Sequence, residues 1–421
     1  MKNNLLLVAC LIFLPGCMQA SKEKGIKDDS SVTRIIIEDF NENSVLKFSD
    51  IYESVKFVKL ETSENSLIGS VDKIIAIDDR YIIMDYSMAN MVFVFNKDGK
   101  FLNRIGSMGA GPEEYSSLND VAYDKYNDEI LVLGSKAILR YKPDGTFAGR
   151  TLLDWSVNSI FVVDKDACLL YLNNRNQPDG KKEDYNIMII NKEGKVVKRM
   201  FPYKHETDHL SFPRPMFSYY NNEVLFAPSF FNIVYKLGDK EVETKYVLDF
   251  GKYAIPESII EDKTDQELNN ITKENYAYNT ASFETSTHVI CRFSYKRIGL
   301  TCYYSKETGK TNVAAVYFND MYALLTGSPI LATDGDSLIG IIESSSSHPY
   351  KDYVSTMKSS NKDINEVIYD KLLAVFPDTK PIENYLKILE TTKVTLSDEE
   401  IDLINSLDES DNPIIMITKL K

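Results

Sequence analysis

MVFVFNKDGKFLNRI, residues 91 to 105, reads as an alternating apolar strand, a tight Asp-Gly turn and a second strand. The same reading recurs in AILRYKPDGTFAGRT (137 to 151) and NIMIINKEGKVVKRM (186 to 200). Glycine in such a turn supplies the positive φ that a two-residue hairpin demands. Degenerate copies follow in NIVYKLGDKEVETKYVL (232 to 248) and GLTCYYSKETGKTNVAAVY (299 to 317), so that Gly99, Gly145, Gly194 and Gly238 stand 46, 49 and 44 residues apart. Self-similarity at a period of about 45 residues is the mark of a repeat architecture.

Another strand pair precedes each hairpin. IIAIDDRYIIMD (74 to 85), DVAYDKYNDEILVLG (120 to 134), SIFVVDKDACLLYL (159 to 172) and MFSYYNNEVLFAP (216 to 228) each give strand, turn, strand. Four strands per repeat is the blade of a β-propeller. A β-sandwich array shares the period but not such regular four-strand units. Five complete units fall in 71–105, 119–152, 158–201, 214–250 and 280–318. A sixth opens with SPILATDGDSLIGIIES (328 to 344) and lacks two strands. YESVKFVKLET (52 to 62) and the C-terminal NPIIMITKLK (412 to 421) are lone apolar strands, and they complete it. The expected fold is all-β: a six-bladed propeller closed by strands from both ends of the chain, which removes free edges.

Two stretches break the repeat with helical patterns. One lies at 256–275, opened by Pro256, a residue suited to a first helical turn. The other, inside the sixth unit at about 360–408, carries Ile364, Val367, Ile368, Leu372 and Val375 at helical spacing. Ser397 and Glu400 form a capping-box pattern before Ile401, Ile404 and Leu407.

The N-terminus reads as a targeting segment, either a lipoprotein signal or an ordinary secretory signal with an incidental cysteine. LLLVACLIFLPG ends at Cys17 and is too short to span a bilayer. Leu14 to Cys17 (LPGC) resembles a bacterial lipobox, although Pro15 departs from the usual small or aliphatic residue. That resemblance implies a signal peptide over 1–16, acylation of Cys17, and a flexible polar tether over 17–31 before the body at 32–421. Cys168, Cys291 and Cys302 remain. An odd set makes no disulfide framework, and they read as buried thiols. Cys291 and Cys302 could also face each other across a hairpin turning near Lys296 and Arg297.

FVKLET (57 to 62) with SLIG (66 to 69), FNKDGKFLNRIGSMGAGPEEY (95 to 115) and the closing DNPIIMITKLK (411 to 421) resemble the Bacteroidetes six-bladed β-propeller lipoproteins, relatives of the NHL-repeat propellers. The most specific stretch is Gly109 to Tyr115, similar to that family's G-x-G-P-x-E-Y connector. The resemblance implies an outer-membrane, lipid-anchored envelope protein. It implies no particular activity.

Function is less legible. The net charge of −14 comes with no Lys/Arg-dense run, which excludes the electrostatic footprint of a nucleic-acid binder. His205, Glu206 and His209 match the zinc motif H-E-x-x-H, but the motif needs a helix to bring both imidazoles to one face. Pro202, Pro213 and Pro215 leave about ten residues with no apolar periodicity. The segment reads as a connector, and no metal or cofactor is expected. Glu307 to Thr311 ends like a P-loop, but Tyr304 stands where the first glycine belongs. Asp334-Gly335-Asp336 lacks the later ligands of a calcium loop. Glu113 and Glu114 read as solvated carboxylates.

Blade geometry says more. Connectors between blades and the loops joining second to third strands leave from one face, and these are the long, varied ones. Functional residues gather on long loops held by a rigid scaffold. On that face the candidates for ligand contact are Tyr115, Arg175, Arg214, Phe230, Phe231, Tyr295, Arg297, His348 and Tyr350. Aromatic faces beside hydrogen-bonding groups suit a glycan, a peptide or an envelope protein partner; the same residues also serve as packing. With no nucleophile or metal constellation in view, binding is favoured over a hydrolase or lyase acting on a polysaccharide or peptide.

Overall fold

The structure is a computed structural model, described here for residues 32–41, 44–172, 185–202, 217–221, 223–228, 231–238, 242–256, 267, 270–271, 273–274, 276–322, 330–356, 363–375 and 382–421. Six antiparallel sheets form the blades of a propeller. The first holds strands Lys73–Ile77, Arg80–Asp85, Met91–Asn96 and Phe101–Ile105, and the second Asp120–Asp124, Glu129–Leu133, Ala137–Tyr141 and Phe147–Leu152. The third runs from Ser159 to Pro202, the fourth from Phe217 to Asp249 and the fifth from Ala277 to Ala314. The sixth takes Ala332–Asp334 and Ser337–Ile342, then the C-terminal strand Ile414–Leu420, then Tyr52–Lys59 from near the N-terminus. Closure by both ends is as the sequence predicts. First strands of neighbouring blades touch, which puts them around the axis.

Alternation of side chains along the strands builds the core. In the second strand of blade one, Ile82 and Met84 join a cluster with blade two, while Tyr81 and Ile83 join one with blade six. In the second strand of blade two, Ile130 and Val132 face blade one, and Leu131 and Leu133 face blade three. Both faces of a middle strand are therefore buried, which is why these strands read as unbroken apolar runs. The hairpin glycines work as expected: Gly99, Gly145 and Gly194 hold φ of 83°, 90° and 82°.

Two features depart from the sequence reading. Residues Thr33–Ile36 add a fifth strand to blade four, parallel to Val242–Asp249. From there the chain passes blade five, where Phe40 packs against Phe250, Phe293 and Tyr295, and Val45–Lys47 pairs in parallel with Val316–Phe318. The N-terminal segment is thus a belt over blades four and five before it becomes the outer strand of blade six. For the same reason blade five ends at Ala314, and Val316–Phe318 leaves it to meet the belt.

Among the described residues, the insertion in blade six carries four α-helices, α1 (His348–Thr356), α2 (Ile364–Val375), α3 (Glu383–Thr391) and α4 (Asp398–Ser406). They bury Ile364, Val367, Ile368 and Leu372 against Phe318 and Tyr385. Ser397 caps α4 with a complete capping box to Glu400. The helix read at 256–275 lies largely outside the described residues.

Candidate functional site

Connectors and second-to-third-strand loops do share one face. Its firmest mount is Asp85, at the end of the second strand of blade one. One carboxylate oxygen accepts from the Gly69 and Ser70 amides at 2.7 and 3.0 Å, the other from Met88 and Ala89 at 2.9 Å each. Four amide donors satisfy a buried carboxylate and freeze the turn it sits on. A Cβ on Gly69 would stand 2.6 Å from the Met88 Cβ, so that glycine lets the turn pack down. The turn then holds Met88 69% exposed; Tyr86, Leu67 and, on the connector after blade one, Met108 are exposed as well.

The same face carries a cavity of about 310 Å³, lined by the connector (Tyr115, Ser116), the blade-two loop (Gly134 to Ala137), Leu139, and Arg150 and Leu152 of the outer strand. Arg150 and Leu152 share one face of that strand, as residues two apart must. The Leu153 amide donates to the Lys136 carbonyl at 2.9 Å and ties the loop to the outer strand. Lys136 and Arg150 are exposed, and no carboxylate lines the cavity. Two cations line one hollow on a chain of net charge −14, a combination whose chemistry suits an anion with an apolar body. A second cavity lies between blades two and three, lined by Asp124, Asp164, Asp166, Arg140, Lys165 and Lys192 among others. At about 30 Å³ it has room for little more than water.

The G-x-G-P-x-E-Y connector builds the wall of the larger cavity. Glu114 folds back to accept from the Gly111 amide at 2.8 Å, and a Cβ on Gly109 would fall 1.9 Å from its carboxylate. Tyr115 is buried against Gly106 and reaches the Asn90 carbonyl at 3.3 Å, while Tyr141 donates to the Glu113 carbonyl at 2.7 Å. Burial, then the Glu113 charge, pushes the Tyr141 hydroxyl up to about 12, and burial raises that of Tyr115 further. Both are therefore neutral donors at every ordinary pH. Glu113 is exposed, as expected of a solvated carboxylate.

The other candidates scatter. Tyr295 is buried between Phe40 and Tyr253. Tyr350 is buried under α2, with the Lys371 ammonium 5.1 Å from its ring. Both supply packing, as Tyr115 does. Arg297 is exposed in the two-residue turn with Lys296, at φ of 66° and 50°. Phe231 is exposed in the blade-four loop. His348 opens α1, with its side chain outside the described set. Cys17, Arg175, His205, Glu206, His209, Arg214 and Phe230 lie outside the described residues altogether. Lys136, Arg150 and the Met88 turn were missed; the one sequence signal is that Lys136 and Met88 sit on the same set of loops, while Arg150, on the outer strand, carries none.

Near the axis, Lys73 of blade one bonds Asp120 of blade two at 2.8 Å, and its ammonium stands 4.8 Å from the Phe161 ring of blade three. Asp120 also accepts from the Ile160 amide at 2.9 Å. These contacts bind three blades together and leave both charges satisfied. The P-loop-like stretch is a hairpin turn, with Gly309 at φ of 68°. Asp334 pairs with Lys97 at 2.5 Å, and Asp336 accepts from Ser286. Among the described residues no cluster of His, Cys, Asp or Glu is arranged to hold a metal ion, and no helix is long and apolar enough to cross a membrane.

A family model described as Domain of unknown function (DUF4934) matches residues 32–382. Among solved structures, a Bacteroides fragilis protein described provisionally as exported is 17% identical. The match covers 92% of this chain and 100% of that one at a TM-score of 0.69, an agreement of fold. The WD40 domain of Neurospora crassa Pan2 is 10% identical over 64% of this chain and 71% of that one, with a TM-score of 0.37. BamB of Moraxella catarrhalis is 11% identical over 68% and 75%, with a TM-score of 0.38. Both fall below the similarity at which a shared fold can be argued. A comparison with curated proteins returns no match.

Proposed function

The chain belongs to the DUF4934 family, and we propose that it is a non-catalytic envelope protein whose long-loop face binds a peptide segment of a protein partner through a carboxylate. The observation that carries this reading is the cavity beside Tyr115. It combines Lys136 and Arg150 with Leu139 and Leu152, on a face that also exposes Met88 and Met108. Methionine surfaces adapt to apolar side chains, and paired cations select an anion. A neutral glycan would find no use for the two charges.

Localisation belongs to the same proposal. The apolar stretch before LPGC supports export and anchoring through acylated Cys17, facing or within the outer membrane. The provisional description of the Bacteroides fragilis relative agrees with export. Kinship with NHL-repeat propellers is part of this reading too. Intact-mass analysis of the membrane fraction tests the anchor: acylated Cys17 supports it, and an unmodified soluble chain does not.

The ligand class is tested by thermal shift with short apolar peptides ending in a free carboxylate, the same peptides as C-terminal amides, and neutral and acidic oligosaccharides. Whatever binds the folded state alone raises its melting temperature. The reading expects shifts with free carboxylates only. A shift with neutral sugars and none with peptides would overturn it.

A further inference from the structure

Blade five carries a covalent site that its packing does not use. Its second and third strands, His288–Tyr295 and Ile298–Ser305, form a hairpin turned at Lys296 and Arg297. In their register Cys291 stands directly opposite Cys302. Both are fully buried free thiols in one cluster, between blades four and five and beneath the belt residues Ile35, Ile37 and Phe40. Opposed residues in an antiparallel pair have Cα atoms about 4.5 to 5.5 Å apart, inside the range of about 4.4 to 6.8 Å that a disulfide spans. Cys168 packs in the separate cluster between blades two and three, paired in register with Val162 and Ile190, and takes no part.

We propose that Cys291 and Cys302 are a cross-strand disulfide site, closed by thiol–disulfide exchange as blade five folds. One sulfur–sulfur bond forms and the two thiol protons leave. The two electrons pass to the disulfide of an oxidant, an envelope dithiol oxidase or oxidised glutathione, which becomes two thiols. Timing follows from burial, which raises the Cys291 thiol to about 12 and Cys302 well above its usual value. Thiolate is the attacking species, so the folded, reduced protein exchanges hardly at all. Exchange runs while the hairpin exists but the belt has not yet covered it.

The full chain, with Cys168→Ser to prevent mispairing, would be unfolded with reductant present. It would then be refolded in a mixture of oxidised and reduced glutathione and alkylated after denaturation. The site predicts two protected cysteines, a peptide linking Cys291 to Cys302, and a higher melting temperature than the reduced form, since the bond restricts the unfolded chain. Folded reduced protein given the same mixture would keep both thiols alkylatable. Refolded protein whose two thiols are both still alkylated, or carry only mixed glutathione adducts, would overturn the proposal. Cys302→Ala, refolded alongside, should lose the melting-temperature difference between oxidising and reducing conditions; a persisting difference would count against the site. This inference is independent of the ligand cavity.

Discussion

The Asn412 side chain donates to the Ser66 carbonyl at 2.7 Å across 346 positions of sequence. The same amide donates to the Glu61 carbonyl, and its oxygen accepts from the Ile68 amide, each at 2.8 Å. One buried asparagine thus clasps the loop that follows the outer strand of blade six to the start of the C-terminal strand beside it. Replacing Asn412 with alanine removes the partner of two buried backbone groups, the Ser66 carbonyl and the Ile68 amide, while the Glu61 carbonyl keeps the Ser66 hydroxyl. A loss of about 2 kcal/mol in urea unfolding is expected, at about 1 kcal/mol per buried group.

Gly99 tests the same seam from blade one. A Cβ there would meet the Lys59 carbonyl at 2.0 Å, and φ is +83°. Gly309 has φ +68° but no heavy atom within 4 Å. Gly309→Ala should therefore cost only the left-handed backbone penalty, about 1 kcal/mol. Gly99→Ala should cost at least about 3 kcal/mol, because a backbone oxygen must move as well. Equal losses in denaturant titrations would contradict this.

Blades four and five share a charge network. Buried Glu284 takes the ammonium groups of Lys245 at 2.8 Å and Lys306 at 2.7 Å, and accepts from the Tyr246 hydroxyl at 2.8 Å. Glu284→Ala takes the buried carboxylate from Lys306 and leaves Lys245 with Glu223 alone, and is expected to lower stability by about 3 kcal/mol.

Glu223 beside it is more exposed. Burial raises its carboxyl, but hydrogen bonds from Lys236 and Lys245 outweigh that and hold it below the usual 4.5. A depressed carboxylate contributes stability present above its unfolded value and lost as pH falls through the folded one. Glu223→Gln should therefore flatten the loss of melting temperature between roughly pH 5 and pH 3. An unchanged profile would sink the assignment.

The belt makes a prediction of its own. Removing residues up to 40 deletes Ile35, Ile37 and Phe40 from the cluster between blades four and five and bares the outer edge of blade four. Such edges recruit other chains. Light scattering should find the truncated protein self-associating, where the full chain stays monodisperse.

Blade number and the closing strands were legible because Asp-Gly and Glu-Gly turns mark each hairpin locally. The belt was not: Thr33–Ile36 is four residues long, and its partner strand begins at Val242. No local pattern encodes so distant a pairing. The site was half legible. Loop length pointed to the face on which the cavity opens, but an aromatic on a loop reads the same whether it faces water or a core. Tyr115, Tyr295 and Tyr350 went inward. Lys136 and Arg150 acquire meaning only when the outer strand of blade two folds back beside its loop.

The central claim is that these two cations hold a carboxylate. The most direct measurement is calorimetric titration of the full chain and its Lys136→Glu/Arg150→Glu variant with one apolar peptide, as free acid and as amide. The account predicts that the parent binds the acid at least tenfold more tightly than the amide, about 1.4 kcal/mol, and that the variant loses this preference while keeping its melting temperature. Equal binding of acid and amide by the parent, or a preference that survives charge reversal, would contradict it.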